Sequence, residues 1–138
     1  MTFEGLYNIR DANKNDHNFI LATFLRGVYH GDTFFSQVPK DLFMSRYKLV
    51  AQGLVNDPNT KIKVACLPDD PDVVLGYSIL SGDYSTVNFV FVKNAWRLKG
   101  IGRSLLPKDF KYVVPQHITG AGKIILTKFP TVKMNPFF

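Results

Sequence analysis

The fold is decided by one stretch of sequence, residues 87–106, which reads VNFVFVKNAWRLKGIGRSLL. Its first six residues are rich in Val and Phe, which is typical of a buried strand. The pair Gly100 and Gly102 predicts a tight turn, and Ser104 lies in the first turn of a following helix. Such a turn directs backbone N–H groups at one point near the positive end of a helix dipole, so it predicts a phosphate site. The simpler interpretation is that the glycines only let a strand turn into a helix.

The elements around this stretch follow from the periodicity of apolar residues. Upstream, the helical period and the end signals predict two helices, and the period then changes to two, which predicts an antiparallel meander of three strands. Downstream, the run Ile124-Ile125-Leu126 before Pro130 predicts one last strand. The predicted strands are residues 6–10, 61–67, 73–80, 87–92 and 123–129, and the predicted helices are 15–31 and 39–56. The aromatic tail, residues 134–138, is expected to pack back on the fold.

Length and composition predict one α/β domain over residues 1–138. Apolar residues make up 46% of the chain, with 12 Phe and 6 Tyr, so an aromatic core is expected. The lone Cys66 predicts a small buried hydrophobe and excludes a disulfide framework. The sequence shows neither a signal peptide nor a membrane-spanning run, which predicts no membrane partner and a cytoplasmic location.

The net charge of +6 is unevenly distributed. Residues 1–92 hold eight Lys and Arg against ten Asp and Glu, whereas residues 93–138 hold nine against Asp109 alone. This asymmetry predicts that the part containing the glycine turn contacts a polyanion: coenzyme phosphates, a nucleic acid or an acidic protein.

The order of elements resembles the GCN5-related N-acetyltransferase (GNAT) family. The family signature is a strand followed by Gln/Arg-x-x-Gly-x-Gly/Ala, matched here by Arg97, Gly100 and Gly102 behind a meander. The resemblance covers roughly residues 6–129 and implies a mixed, mostly antiparallel sheet flanked by helices. The chain departs from the family in its C-terminal half, which is expected to be abbreviated.

The sequence also resembles a group of small phage-encoded proteins with this fold. Such an origin implies that the protein works in the cytoplasm of a host cell. The matching segments are residues 63–72, Gly76-Tyr77, residues 89–93, Trp96-Arg97 and Asn135-Pro136.

The family resemblance implies an acetyl-CoA site around the signature. The pyrophosphate is implied to lie on the turn, the pantetheine arm along the preceding strand, and the thioester carbonyl at a backbone N–H near Val90 or Phe91. A basic side chain near the turn is implied to hold the 3′-phosphate. The implied coenzyme-binding residues are Val90, Phe91, Val92, Arg97, Lys99, Gly100, Ile101, Gly102, Arg103 and Ser104.

The catalytic side chains of the family are not found in their usual places. The chain has one Glu, Glu4, and its central strand carries Asn88 where many members have a glutamate. The last nine residues contain no Tyr to protonate the thiolate, and they leave no room for a further helix and two strands. Asn88 is therefore a candidate for orienting a water or substrate, or a polar residue of a half-buried strand. Tyr77 and Tyr84 are candidate acids, or packing residues.

The function favoured by these observations is transfer of an acyl group from acetyl-CoA, or a related acyl-CoA, to an amine by direct attack on the thioester. The acceptor is a small molecule, a protein or a nucleic acid. The alternatives are a catalytically degenerate phage accessory protein that binds a host protein or nucleic acid, and an acyltransferase that modifies a nucleic-acid base. The histidines His17, His30 and His117 lack metal-ligand spacing, so no metal is expected. The free edge of an abbreviated sheet predicts that a second copy can pair there as a homodimer.

Overall fold

The computed structural model describes residues 6–31, 33–97 and 99–138. They form a six-stranded sheet in the order β1 to β6, with strands β1 to β4 antiparallel and β4, β5 and β6 parallel. Short 3₁₀ turns cover Lys14–Asp16, Asn94–Trp96 and Pro115–His117. The other elements are β1 (Asn8–Asp11), α1 (His17–Gly31), α2 (Thr33–Ser36), α3 (Lys40–Asn56), β2 (Thr60–Cys66), β3 (Val74–Ser81), β4 (Thr86–Val92), α4 (Ile101–Ser104), β5 (Tyr112–Val113), α5 (Gly120–Leu126) and β6 (Lys133–Met134).

The N-terminal two thirds of the fold confirm the predicted elements closely. The three strands of the meander begin and end within one residue of their predicted bounds. Helix α3 follows Pro39 as expected, and the first helix ends at Gly31. Its start differs, because Asn13 and Asp16 form a capping box around a 3₁₀ turn before α1. Arg10 holds the same Asp16 carboxylate through two hydrogen bonds of 2.7 and 2.9 Å, which lowers the pKa of Asp16.

Helices cover both faces of the sheet. On one face α1 and α3 pack through Phe24 and Phe43 against Ile79 and Phe89 of the sheet. On the other face Ile101 of α4 packs against Ala65 and Leu75. Residues Val74 to Leu80 of β3 are all buried, because helices lie above and below this central strand. Cys66 is buried as predicted, at 2% exposure.

The predicted strand over residues 123–129 is wrong. Its apolar run lies in helix α5, which begins after Thr119, whose hydroxyl accepts the Gly122 N–H at 3.1 Å. The fifth strand is instead the two-residue β5, and α5 and β6 follow it, so the chain holds more structure after its fifth strand than expected. The C-terminal half is still abbreviated, since β5 and β6 have two residues each.

The tail packs back on the fold, as expected. The Asn135 N–H donates to the Val113 carbonyl at 2.9 Å, and the Gln116 side chain donates to the Pro136 carbonyl at 2.9 Å. The Phe138 ring lies 4.7 Å from the His117 ring, between centroids. Across residues 6–31, 33–97 and 99–138, no helix has both the length and the apolar character needed to cross a membrane.

Candidate acyl-CoA site

Strand β4 carries a β-bulge at Asn88. Phe89 pairs with Ile79 of β3 whereas Val87 pairs with Leu80, so Asn88 is the extra residue. A bulge bends the strand that contains it. On its other side, β4 pairs with β5 only at Thr86 and Val87. Beyond the bulge the two strands separate, and one edge of β4 is left without a neighbouring strand.

The free edge of β4 belongs to Val90 and Val92. In a strand, the N–H and C=O groups of successive residues point to opposite edges. The Lys93 N–H donates to the Leu75 carbonyl of β3 at 2.9 Å, so Phe91 also faces β3. Val90 and Val92 therefore face the gap between β4 and β5. Consistent with this direction, the Val92 carbonyl accepts from Nε of Arg97 at 3.1 Å.

The gap beside this edge is a narrow apolar cleft. It contains a cavity of about 40 Å³, which has room for a few water molecules. Side chains of α5, including Ile125 and Leu126, close it from one side. Its polar lining includes Asn88, which is 5% exposed and whose Oδ1 has no hydrogen-bond partner among the described residues. A buried acceptor without a donor is costly, so this oxygen fits a ligand that brings an N–H group into the cleft.

His117 lines the same cleft and is almost completely buried. Its Nδ1 lies 3.2 Å from the carbonyl oxygen of Asn88, and its Nε2 lies 2.5 Å from the hydroxyl of Tyr47 on α3. Burial lowers the pKa of His117 to about 4, so the ring is neutral at pH 7. Burial also raises the pKa of Tyr47 to about 12, so its hydroxyl stays protonated.

The sequence did not identify this pair as a site. In the sequence, His117 is one of three histidines without metal-ligand spacing, and Tyr47 lies within the predicted helix over residues 39–56. The two residues are 70 positions apart. No spacing signal connects them, because only the packing of α3 against the segment after β5 brings them together.

The glycine turn has the strand-to-helix geometry that the sequence predicts. Gly100 has a φ of 82°, a conformation that other residues adopt only with strain, and it precedes the single turn of α4. Ile101 is buried and anchors this turn. The Ser104 hydroxyl donates to the Gly100 carbonyl at 3.0 Å and lies 2.6 Å from the Tyr7 hydroxyl. Gly102 brings α4 close to α5, since a Cβ there would lie 3.2 Å from Cδ1 of Ile125.

The turn stands at the end of the free edge. Arg97, Lys99 and Arg103 follow β4 directly, and the side chains of Arg97 and Arg103 are exposed. The structure thus brings together the predicted coenzyme-binding residues of β4 and those of the turn, with Asn88 at the far end of the same edge.

The two candidate tyrosines lie away from this edge. Tyr77 is fully buried under α1, where its hydroxyl lies 2.6 Å from Oγ1 of Thr23 and donates to the Ile20 carbonyl at 3.1 Å. Burial raises its pKa. Tyr84 occupies the β3–β4 turn, at the end of the hairpin opposite the glycine turn, with the Lys63 ammonium 5.9 Å from its ring. Neither placement supports a role as the acid.

Glu4 lies outside the described residues, so the structure says nothing of it. Among the residues that are described, no group of His, Cys, Asp or Glu side chains is arranged to hold a metal ion.

Comparison with known proteins identifies the fold. No family model and no curated protein matches the chain. A protein from Pyrococcus furiosus, provisionally named an acetyl transferase, matches with a TM-score of 0.58 and 17% identity, over 94% of this chain and 80% of its own. A possible acetyltransferase from Clostridium difficile 630 matches with a TM-score of 0.50 and 20% identity, over 94% and 77%.

A GCN5-related N-acetyltransferase from Rhodopseudomonas palustris matches with a TM-score of 0.50 and 16% identity, over 71% of this chain and 59% of that one. These identities are low, so the likeness concerns the fold. The resemblance read from the glycine signature is confirmed at that level: the chain has the fold of the GCN5-related N-acetyltransferases.

Proposed function

We propose that residues 1–138 form one acyl-CoA-binding domain that transfers the acyl group of acetyl-CoA, or a related acyl-CoA, to an amine. The observation that carries this proposal is the free edge of β4 beyond the bulge at Asn88, which is followed by the 3₁₀ turn Asn94–Trp96 and then by the glycine turn. An extended ligand can add to such an edge as a further strand, through main-chain hydrogen bonds.

The coenzyme is proposed to lie along this edge. Its pyrophosphate takes the N–H groups at the start of α4, between Gly100 and Arg103, and its 3′-phosphate lies near Arg97, Lys99 or Arg103. Its pantetheine arm forms main-chain hydrogen bonds with Val90 and Val92. At Val92 the arm replaces the hydrogen bond that Nε of Arg97 donates to the carbonyl. An amide N–H of the arm satisfies Oδ1 of Asn88. Because the cavity holds only a few waters, α5 has to move outward to admit the arm.

The thioester carbonyl is proposed to be polarised by the Val90 N–H. Of the two residues that the family resemblance offers, Val90 faces the cleft and Phe91 faces β3. A fixed N–H donor at this point stabilises the negative charge that forms on the oxygen as the amine attacks. Asn88 sits two residues earlier on the same strand and helps to orient the arm.

Isothermal titration with acetyl-CoA tests the proposed pyrophosphate site through the variant Gly100→Glu. A Cβ at Gly100 meets no atom within 4 Å, so the new carboxylate reaches toward the phosphates and repels them. We expect affinity to fall about 100-fold, which corresponds to about 2.7 kcal/mol.

The matched control is Gly100→Gln, which has the same shape and the same backbone strain without the charge. It should keep affinity within about fivefold of the parent protein. If both variants bind acetyl-CoA equally well, the pyrophosphate does not lie at this turn.

The second candidate function is binding of a polyanionic macromolecule, through the basic last third of the chain. Lys111 directly precedes β5 and Lys133 begins β6, at the end of the sheet opposite the glycine turn. A coenzyme on the turn does not neutralise them.

If this end of the sheet binds nucleic acid, the affinity for a 20-base single-stranded DNA should fall at least tenfold between 50 and 200 mM salt, because phosphate contacts release counterions. Fluorescence anisotropy measures this change. A salt-independent signal argues against a nucleic-acid partner.

A further inference from the structure

Tyr47, His117 and the carbonyl of Asn88 form a hydrogen-bonded chain at the point where β4 bulges. This hydrogen-bonded chain lies on the face of the sheet that α1 and α3 cover. The glycine turn, where the coenzyme is proposed to bind, leads into α4 on the opposite face. The hydrogen-bonded chain contacts β4 through the Asn88 carbonyl, two residues before the proposed thioester position at Val90, from the side opposite α4.

The chemistry of the three groups fixes the direction of each proton. A backbone carbonyl only accepts hydrogen bonds, so Nδ1 of His117 carries a proton and donates a hydrogen bond to the Asn88 carbonyl. Nε2 of the neutral ring is then an acceptor, and the Tyr47 hydroxyl must donate to it. The Tyr47 oxygen can still accept a hydrogen bond from another molecule through its lone pairs.

The surroundings of Tyr47 are aromatic. Its ring is stacked on Phe43 at 5.0 Å between centroids, and Phe35 lies 5.0 Å away. Phe34 contacts Phe35 and is 66% exposed. Phe138, whose ring contacts that of His117, is 50% exposed. Exposed aromatic rings beside a half-buried hydroxyl suit an amine that is carried on an aromatic or alkyl body.

We propose that the Tyr47 hydroxyl oxygen binds the attacking amine by accepting a hydrogen bond from it, and that His117 acts as a positioning residue that keeps the Tyr47 oxygen free to accept. This inference rests on the proposed function. It assigns the positioning of the amine to Tyr47, in a chain whose central strand lacks the glutamate that many family members carry.

The proton and electron balance is complete within these groups. The amine lone pair forms the C–N bond, and the carbonyl pair moves to the oxygen held by the Val90 N–H. The nitrogen, now positively charged, holds its proton in a hydrogen bond to the Tyr47 oxygen, while the Tyr47 proton stays in its hydrogen bond to Nε2 of His117. When the oxyanion pair returns, the C–S bond breaks, and the proton on the nitrogen passes to the departing sulfur, so coenzyme A leaves as a thiol.

Three variants separate this role from a structural one. Tyr47→Phe removes the hydroxyl. His117→Gln places an amide near the Nε2 position, where it can accept from Tyr47. His117→Asn places an amide near the Nδ1 position, where it keeps the contact with Asn88 and loses the contact with Tyr47. The assay is thiol release from acetyl-CoA with 2-phenylethylamine or butylamine, and titration with acetyl-CoA is run on every variant.

We expect kcat to fall at least 100-fold in Tyr47→Phe and His117→Asn and less than tenfold in His117→Gln. Acetyl-CoA affinity should be unchanged in Tyr47→Phe, because Tyr47 does not line the cleft. Equal losses in the two His117 variants would show a purely structural histidine. A Tyr47→Phe enzyme with parental kcat would remove Tyr47 from the mechanism. Nitrogen NMR of the parent protein gives a check that needs no variant, because a proton on Nε2 of His117 instead of Nδ1 would also overturn the proposal.

The outcomes for this pair differ from those for the proposed function. A protein that does not bind acetyl-CoA contradicts both. Thiol release that is equally fast in the parent protein and in Tyr47→Phe contradicts the role of Tyr47 alone and leaves the proposed function intact.

Discussion

Replacing Gly76 by alanine is expected to lower the free energy of unfolding by about 3 kcal/mol, the upper end of the usual cost of overpacking. Gly76 lies on β3 opposite the end of β4, where a Cβ would stand 2.5 Å from the Phe91 carbonyl oxygen and 3.2 Å from Cα of Val92. Both atoms belong to the backbone, so no side chain can rotate away. At roughly 4 °C per kcal/mol for a chain of this size, the melting temperature should fall by about 12 °C.

The matched control is the same substitution at Gly53. This glycine is exposed on α3, and a Cβ there meets no atom within 4 Å. Alanine should raise the free energy of unfolding by about 0.5–1 kcal/mol, because it is the better helix former. Thermal unfolding followed by circular dichroism gives both values. If Gly76→Ala melts with the parent protein, the β3–β4 contact is looser than the structure shows.

The Gly76 variant also bears on the candidate site, because the backbone that must shift is the segment that precedes the glycine turn. A displaced Val92 changes the edge on which the coenzyme arm is proposed to lie. Acetyl-CoA affinity should therefore fall in Gly76→Ala even where the protein remains folded, and should stay unchanged in Gly53→Ala.

The sequence could predict those parts of the fold that depend on local signals. The meander strands were found because their residues are β-branched or aromatic and are separated by short polar turns. The first helix and α3 were found from their apolar period and their end residues, Gly31 and Pro39. The glycine turn was found because a positive φ at Gly100 and a close approach at Gly102 both favour glycine.

The C-terminal part could not be predicted in the same way. A short apolar run such as Ile124-Ile125-Leu126 fits a strand or a helix, and Gly120 and Gly122 weaken the helical signal. The true fifth strand has two residues, which is too short to show a period. The bulge at Asn88 and the contact between Tyr47 and His117 exist only in three dimensions, so a single sequence carries no signal for either.

The buried imidazole of His117 is expected to make the protein sensitive to mild acid. In the unfolded chain the ring binds a proton near its ordinary pKa of 6.5, whereas burial lowers the pKa in the folded protein to about 4. Between these values the unfolded state binds more protons, so stability rises with pH. The full stability is present above pH 6.5 and is lost progressively as the pH falls toward 4, by about 3 kcal/mol in total.

Urea denaturation at pH 7.5, 6.0, 5.0 and 4.0 measures this loss of stability. The variant His117→Gln lacks the imidazole, so comparison with it shows how much of the loss is due to His117. The variant keeps His17, His30 and every carboxylate, including Asp16 with its Arg10 partner, so all other titrating groups cancel in the comparison. The difference in unfolding free energy between the two proteins should therefore shrink, or change sign, toward pH 4. Parallel pH curves would mean that the imidazole titrates normally in the folded protein. A normal titration would require an open path from water to His117, and the chain that directs the Tyr47 hydroxyl would then not exist.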